Sequence, residues 1–127
     1  MEYEELKEFN KDLKKLSKKY RSLKDDIEVI KKVLNVNPTA RPPFSFNIDG
    51  LGIEDCIIKV KKIACKSLKG KGVNTGLRLV YAHFRSKEVE DKNGVEVQTQ
   101  EKIIFIELYH KNDKTNENRD RILKYFK

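Results

Sequence analysis

Lysines set between glycines, followed by an arginine in a run of apolar residues, are groups that grip phosphate. Such a run spans Cys65–Tyr81, CKSLKGKGVNTGLRLVY. Lys66, Lys69 and Lys71 fall on a glycine-punctuated loop, and Arg78 falls on the strand that the loop feeds. An ammonium acts as a point charge, whereas a guanidinium is a planar fork that takes two phosphate oxygens at once. A second run, IIFIELYHKNDK (Ile103–Lys114), reads as a strand ending in Tyr109, His110 and Lys111, residue types that can move protons. The two runs are expected to form the walls of one site that faces an anionic ligand with several phosphates.

Strand parity decides which of these side chains share a face. Period-two patterning rich in Ile, Val, Phe and Tyr predicts three strands, over 56–66, 76–90 and 95–110. Side chains alternate between the two faces of a strand. In the last strand Ile104, Ile106 and Leu108 make one apolar face, leaving Phe105, Glu107, Tyr109 and Lys111 on the other. In the middle strand Leu77, Leu79 and Tyr81 are apolar and Arg78 is opposite. In the first strand Ile58, Val60 and Ala64 oppose Lys59 and Lys61. Parity therefore gathers Lys59, Lys61, Arg78, Glu107, Tyr109 and Lys111 on one open sheet face, with Lys66, Lys69 and Lys71 at its rim and Arg121 contributed by the C-terminal helix. A merely solvated sheet face would mix charges more evenly than this. His110 is ambiguous: parity points it toward the helices, and a turn at the strand end brings it into the site. His83 has no partner in sequence and reads as a surface residue.

The elements that position this face come first in the chain. Tyr3, Leu6, Phe9, Leu13, Leu16, Tyr20 and Leu23 recur at spacings of three and four and predict a helix over about 2–23. Ser22 with Asp25 resembles a capping box that starts a second helix to about residue 35, whose apolar face is Ile27, Ile30, Val33 and Leu34. The lysines at 14, 15, 18 and 19 read as a solvated helix face. All three prolines lie in a connecting loop over 36–53. The sheet region is expected over 54–110, with Asn93-Gly94 marking a hairpin turn in a long arm from Arg85 to Glu101. A short helix over about 116–126 closes the chain on Ile122 and Tyr125 or Phe126. The fold class is α+β in one domain over 1–127: a helical hairpin packed on a small twisted antiparallel sheet, with a short C-terminal helix.

Charge narrows the partner. The 127 residues carry a formal net charge of +8, with a pI near 9.4. That balance favours nucleic acid or an acidic protein and says nothing about fold. No apolar run of membrane-spanning length is present, and MEYEELKEF lacks the apolar core of a signal peptide, so a cytoplasmic protein is expected. Cys56 and Cys65 are too few for a zinc site and read as reduced thiols.

Taken in order and spacing, the segments KDLKKLSKKYRSLKDDIE, IDGLG, KVKKIACKSLKGKG, GLRLVY and IIFIELYHKNDKTNENRDRI resemble the RelE/ParE superfamily of toxins from type II toxin–antitoxin systems. Its RelE and HigB branches cut messenger RNA in the ribosomal A site, and its ParE branch poisons DNA gyrase. The resemblance implies a RelE-like fold with a concave basic face. It implies a toxin that arrests translation as a metal-independent endoribonuclease (an mRNA interferase) needing no cofactor, with mRNA, the ribosome and a small acidic antitoxin as partners and no membrane. The alternatives are a gyrase inhibitor and a nucleic-acid-binding module without chemistry. The family's strand lysines are matched by Lys59 and Lys61, its strand arginine by Arg78, and its late basic residue by Lys111. Tyr109 or His110 matches the tyrosine or histidine that members carry near the end of the last strand. RNA cleavage needs a base for the 2′-OH, charge on the phosphorane and an acid for the leaving 5′-oxygen. Arg78 suits the second role, Glu107 or one of the lysine pair the first, and Tyr109, His110 or Lys111 the third. The family's usual edge strand before the first helix is not evident, because Met1–Leu6 reads more easily as helix.

Overall fold

Tyr3 decides how the chain begins. Its spacing to Leu6 matches a helix, yet its ring stacks on Phe105 with centroids 5.8 Å apart, and its hydroxyl lies 2.7 Å from the Lys31 carbonyl. In the computed structural model, which describes all residues from Met1 to Lys127, β1 (Glu2–Glu5) is an edge strand, and helix α1 begins only at Lys7 and ends at Ser17. The expected helix from residue 2 is thus corrected: long-range pairing overrides a weak local propensity. After a turn, α2 runs over Leu23–Val36 and buries Ile27, Ile30 and Leu34. The capping box does not form. The Ser22 hydroxyl donates to Asp26 (2.7 Å) and accepts from the Ser67 amide (2.8 Å), which ties the start of α2 to the basic loop.

The remaining strands are β2 (Ser45–Asn47), β3 (Cys56–Val60), β4 (Leu77–Phe84), β5 (Glu88–Glu90), β6 (Glu96–Gln98) and β7 (Lys102–His110), and α3 (Arg119–Phe126) ends the chain. The main sheet has the order β1-β7-β4-β3-β2. Its β1–β7 pair is parallel and the other pairs are antiparallel, so the sheet is mixed rather than purely antiparallel. Strand β2 lies inside the segment expected to be loop. The first predicted strand stops at Val60 instead of 66. Pro42 and Pro43 precede β2 and carry no amide hydrogens with which to prolong its ladder against β3. Beyond that point parity lapses: Ile63 and Cys65 are buried, and Ala64 is exposed. The long arm forms its own two-stranded ribbon, β5 with β6, turning at Gly94.

A β-bulge governs the faces of β7. Val80 pairs with Glu107 but Tyr81 pairs with Phe105, so Ile106 has no partner across the sheet. One extra residue reverses the alternation on one side of it. Ile103 and Phe105 therefore lie under the helical hairpin with Leu108, whereas Ile104 and Ile106 face the other way, toward α3. The expectation that Ile104, Ile106 and Leu108 share a face, with Phe105 opposite, is corrected. Glu107 and Tyr109 do lie opposite the hairpin. That face is not open either. Val80, Ala82, Ile106 and Tyr109 form a second core with Ile122 of α3.

Candidate nucleic-acid interface

Arg78 lies between Leu77 and Leu79, whose buried side chains anchor β4 to the helical hairpin. Its own side chain emerges on the opposite face, as parity requires. One guanidinium nitrogen, Nη1, donates to the carbonyls of Lys61 (3.0 Å) and Leu77 (3.2 Å). Those bonds fix the plane of the fork and leave Nε and Nη2 for an anion. Arg78 borders a cavity of about 220 Å3 together with Lys61, Lys62 and Lys111, and Asn74, Phe46, Pro43 and Gly76 complete its wall. Lys61 and Lys62 enter where β3 ends, and Lys111 enters one residue past β7. None of the four cations has a carboxylate within ion-pair distance, whereas the Lys62 ammonium donates to Asn74 Oδ1 at 2.9 Å.

Gly76 holds the strand end of this corner together. It adopts φ +83°, and a Cβ added there would stand 2.7 Å from His110 Nε2. The Lys111 amide donates to its carbonyl at 2.8 Å. Gly76→Ala should therefore cost about 2 kcal/mol or more, from the left-handed backbone and a displaced histidine. Urea unfolding reads that loss, and an unchanged midpoint would contradict it.

The other expected site residues go elsewhere. The Lys59 ammonium lies 3.0 Å from Glu117, itself nearly buried, beneath the segment that leads into α3. Glu107 is buried in an ion pair with Lys114 and accepts from the Asn118 amide at 2.8 Å. His110 is on the helix side of the sheet. Its Nδ1 accepts from the Asn112 amide (3.0 Å), so Nε2 carries the hydrogen and donates to the Thr75 carbonyl (2.9 Å), and the ring stacks on Tyr20. Both nitrogens are thereby committed to packing. Lys66, Lys69 and Lys71 are exposed on the 61–76 loop and do not line the cavity. Arg121 is bonded to Asp12 (2.7 Å) and to the Ile106 carbonyl (3.0 Å), away from the cavity. His83 is corrected from surface to buried: its Nε2 meets Glu101 at 2.8 Å, a partner that only the return of the long hairpin brings near.

Tyr109 is paired across the ladder with Arg78. Its hydroxyl is buried without a partner, and the Lys114 ammonium lies 5.1 Å from the ring centre. Burial, then the Glu117 and Glu107 carboxylates, pushes the phenol up to about 12 from 10.0, against a lowering by Arg78. A folded pKa above the unfolded one gives stability that is complete below pH 10 and is lost as pH rises from about 10 toward 12. Tyr109→Phe removes that loss and an unpaired buried hydroxyl. It should keep or raise stability at pH 7 and move alkaline unfolding upward, as pH-dependent circular dichroism would record. An unshifted alkaline midpoint would remove Tyr109 from the account.

Of the residues expected on one face, the structure brings Lys61, Arg78 and Lys111 to one cavity, and it adds Lys62, Asn74 and Phe46. Lys62 was findable as the neighbour of Lys61 at a strand end, where parity stops applying. No group of three or more His, Cys, Asp and Glu side chains is placed to hold a metal ion, and no helix is long and apolar enough to cross a membrane. Comparison with known proteins gives no matching family model, no matching curated protein and no matching solved structure.

Proposed function

We propose that the chain is the toxin of a type II toxin–antitoxin system, a ribosome-dependent mRNA endonuclease of RelE-like fold. The observation that carries this reading is the corner of four unneutralised cations around the free edge of Arg78. Phosphate is the ligand that such a fork and its ammonium neighbours grip. Arg78 holds two non-bridging oxygens as charge builds on the phosphorane, and Lys61, Lys62 and Lys111 add positive potential. Tyr109 is the partner of Arg78 on the next strand and Glu107 lies two residues further along it, both beneath the 111–118 segment. Withdrawal of that segment as RNA enters would offer a carboxylate to take the 2′-OH proton and a phenol to protonate the leaving 5′-oxygen. A small acidic antitoxin suits the same corner by opposite charge.

A specific observation favours a second reading. Lys59, Glu107 and Tyr109 are engaged or covered, so the corner alone is equipped to bind phosphates without cutting them, as a gyrase-blocking toxin or a non-catalytic nucleic-acid module would. Cleavage of mRNA on programmed ribosomes separates the two. Under the first reading the chain cuts ribosome-bound message, and absence of cutting at full ribosome occupancy would leave only binding.

Both readings predict strong salt dependence, since each phosphate contact releases counterions. Replacing Lys61 and Lys111 with Gln should reduce the log–log salt slope for single-stranded RNA by about 1.4, roughly 0.7 per lost contact. A slope unchanged by the double substitution would place the phosphates elsewhere.

A further inference from the structure

We propose that Phe46 is a nucleobase platform beside the phosphate-binding corner, so that the cavity takes one unpaired nucleotide, base on Phe46 and phosphate on Arg78. This rests on the phosphate-binding reading above and names the part of the ligand that phosphate contacts leave undefined. Phe46 sits on β2, opposite Lys59 in the ladder, and is half-buried. Its ring packs into neither of the two hydrophobic cores, although its neighbour Phe44 packs against the first of them. It is the one aromatic side chain in a cavity bordered otherwise by four cations, Asn74, Pro43 and Gly76. The Lys61 ammonium lies 4.8 Å from the ring centre, so one π face is turned to the cavity rather than to the protein interior.

The arrangement suits a nucleotide for a physical reason. An exposed cation–π contact is weak beside a contact between two full charges. An arriving phosphate draws Lys61 off the ring, and the vacated face is left for a base. Every base has a π face, so the platform selects for an unpaired base rather than for a sequence. Asn74 stands at the same wall, its Oδ1 taken by Lys62 and its amide hydrogens free to meet a base edge.

The chain has no tryptophan, so Phe46→Trp installs a single reporter at the platform. The probes are a short oligoadenylate and an abasic ribose-phosphate oligomer of equal length. Quenching of the introduced indole's fluorescence is expected with oligoadenylate and not with the abasic strand at equal occupancy. Phe46→Ala and Phe46→Leu should each weaken oligoadenylate binding about tenfold while leaving the abasic strand unaffected. The leucine variant keeps apolar bulk, so a shared loss belongs to the π face and not to packing. Equal binding of oligoadenylate by wild type and both variants overturns the platform and leaves the phosphate corner standing. Failure of wild type to bind either strand at low salt overturns both.

Discussion

Arg78→Ala should abolish RNA cleavage, with a drop of at least about 100-fold on programmed ribosomes, while the protein stays folded. The expected size is that of removing one preorganised donor from a developing oxyanion. Arg78 differs from its neighbours in doing little for the fold. Its bonds go to two backbone carbonyls at the cavity edge, and its flanking residues Leu77 and Leu79 carry the packing. Water can replace the guanidinium at both carbonyls. Arg78→Lys should recover charge but not the two-pronged grip, and so should remain well below wild type. Circular dichroism and thermal unfolding provide the control. A fully active Arg78→Ala removes the residue from the chemistry, and an unfolded one makes it structural.

Of the cations that the sequence placed at this cavity, Arg78 alone lies on a regular strand, and Lys61 and Lys111 stand one residue past strand ends. Strand β4 alternates without interruption through Leu77, Arg78 and Leu79, so placing Arg78 opposite the hairpin needed only the period of two. On β7 the same rule failed at Ile106. A bulge is a feature of two strands in register, and an isoleucine that sits in a bulge looks like any other. The fates of Lys59 and Glu107 were hidden for a similar reason. Their partners, Glu117 and Lys114, belong to a stretch whose path back over the sheet appears only once α3 docks through Ile122. Strand β1 was illegible because its stability is borrowed from Phe105 and Lys31, about a hundred and about thirty residues on. The α+β class, the helical hairpin and the C-terminal helix rest on local periodicity and were readable from it, and the antiparallel β4–β7 pair was readable from the Asn93-Gly94 turn between the two strands.

Arg121 gives the sharpest separation between a sequence reading and its structural replacement. As an RNA contact its loss would weaken binding and leave stability alone. In the structure its guanidinium clamps three elements: Nη1 donates to Asp12 of α1 at 2.7 Å and to the Ile106 carbonyl of β7 at 3.0 Å, and the residue itself belongs to α3. The Ile106 carbonyl is the one at the bulge, so Arg121 also holds the residue that sets the facing of β7. Removing the arginine leaves Asp12 without its cation and a carbonyl without a donor. Because both partners of the ion pair are still partly reached by water, the cost should fall at or below the low end for a broken buried pair, about 3 kcal/mol. Arg121→Ala is therefore expected to lower the urea midpoint strongly and to free α3 to exchange its amide hydrogens faster. The salt slope for RNA, measured at a temperature where the variant is folded, should stay within error of wild type. Asp12→Asn should reproduce part of the destabilisation from the other side. If instead stability is unchanged and the slope falls by about 0.7, Arg121 touches phosphate, and the clamp is only a resting position of the free protein.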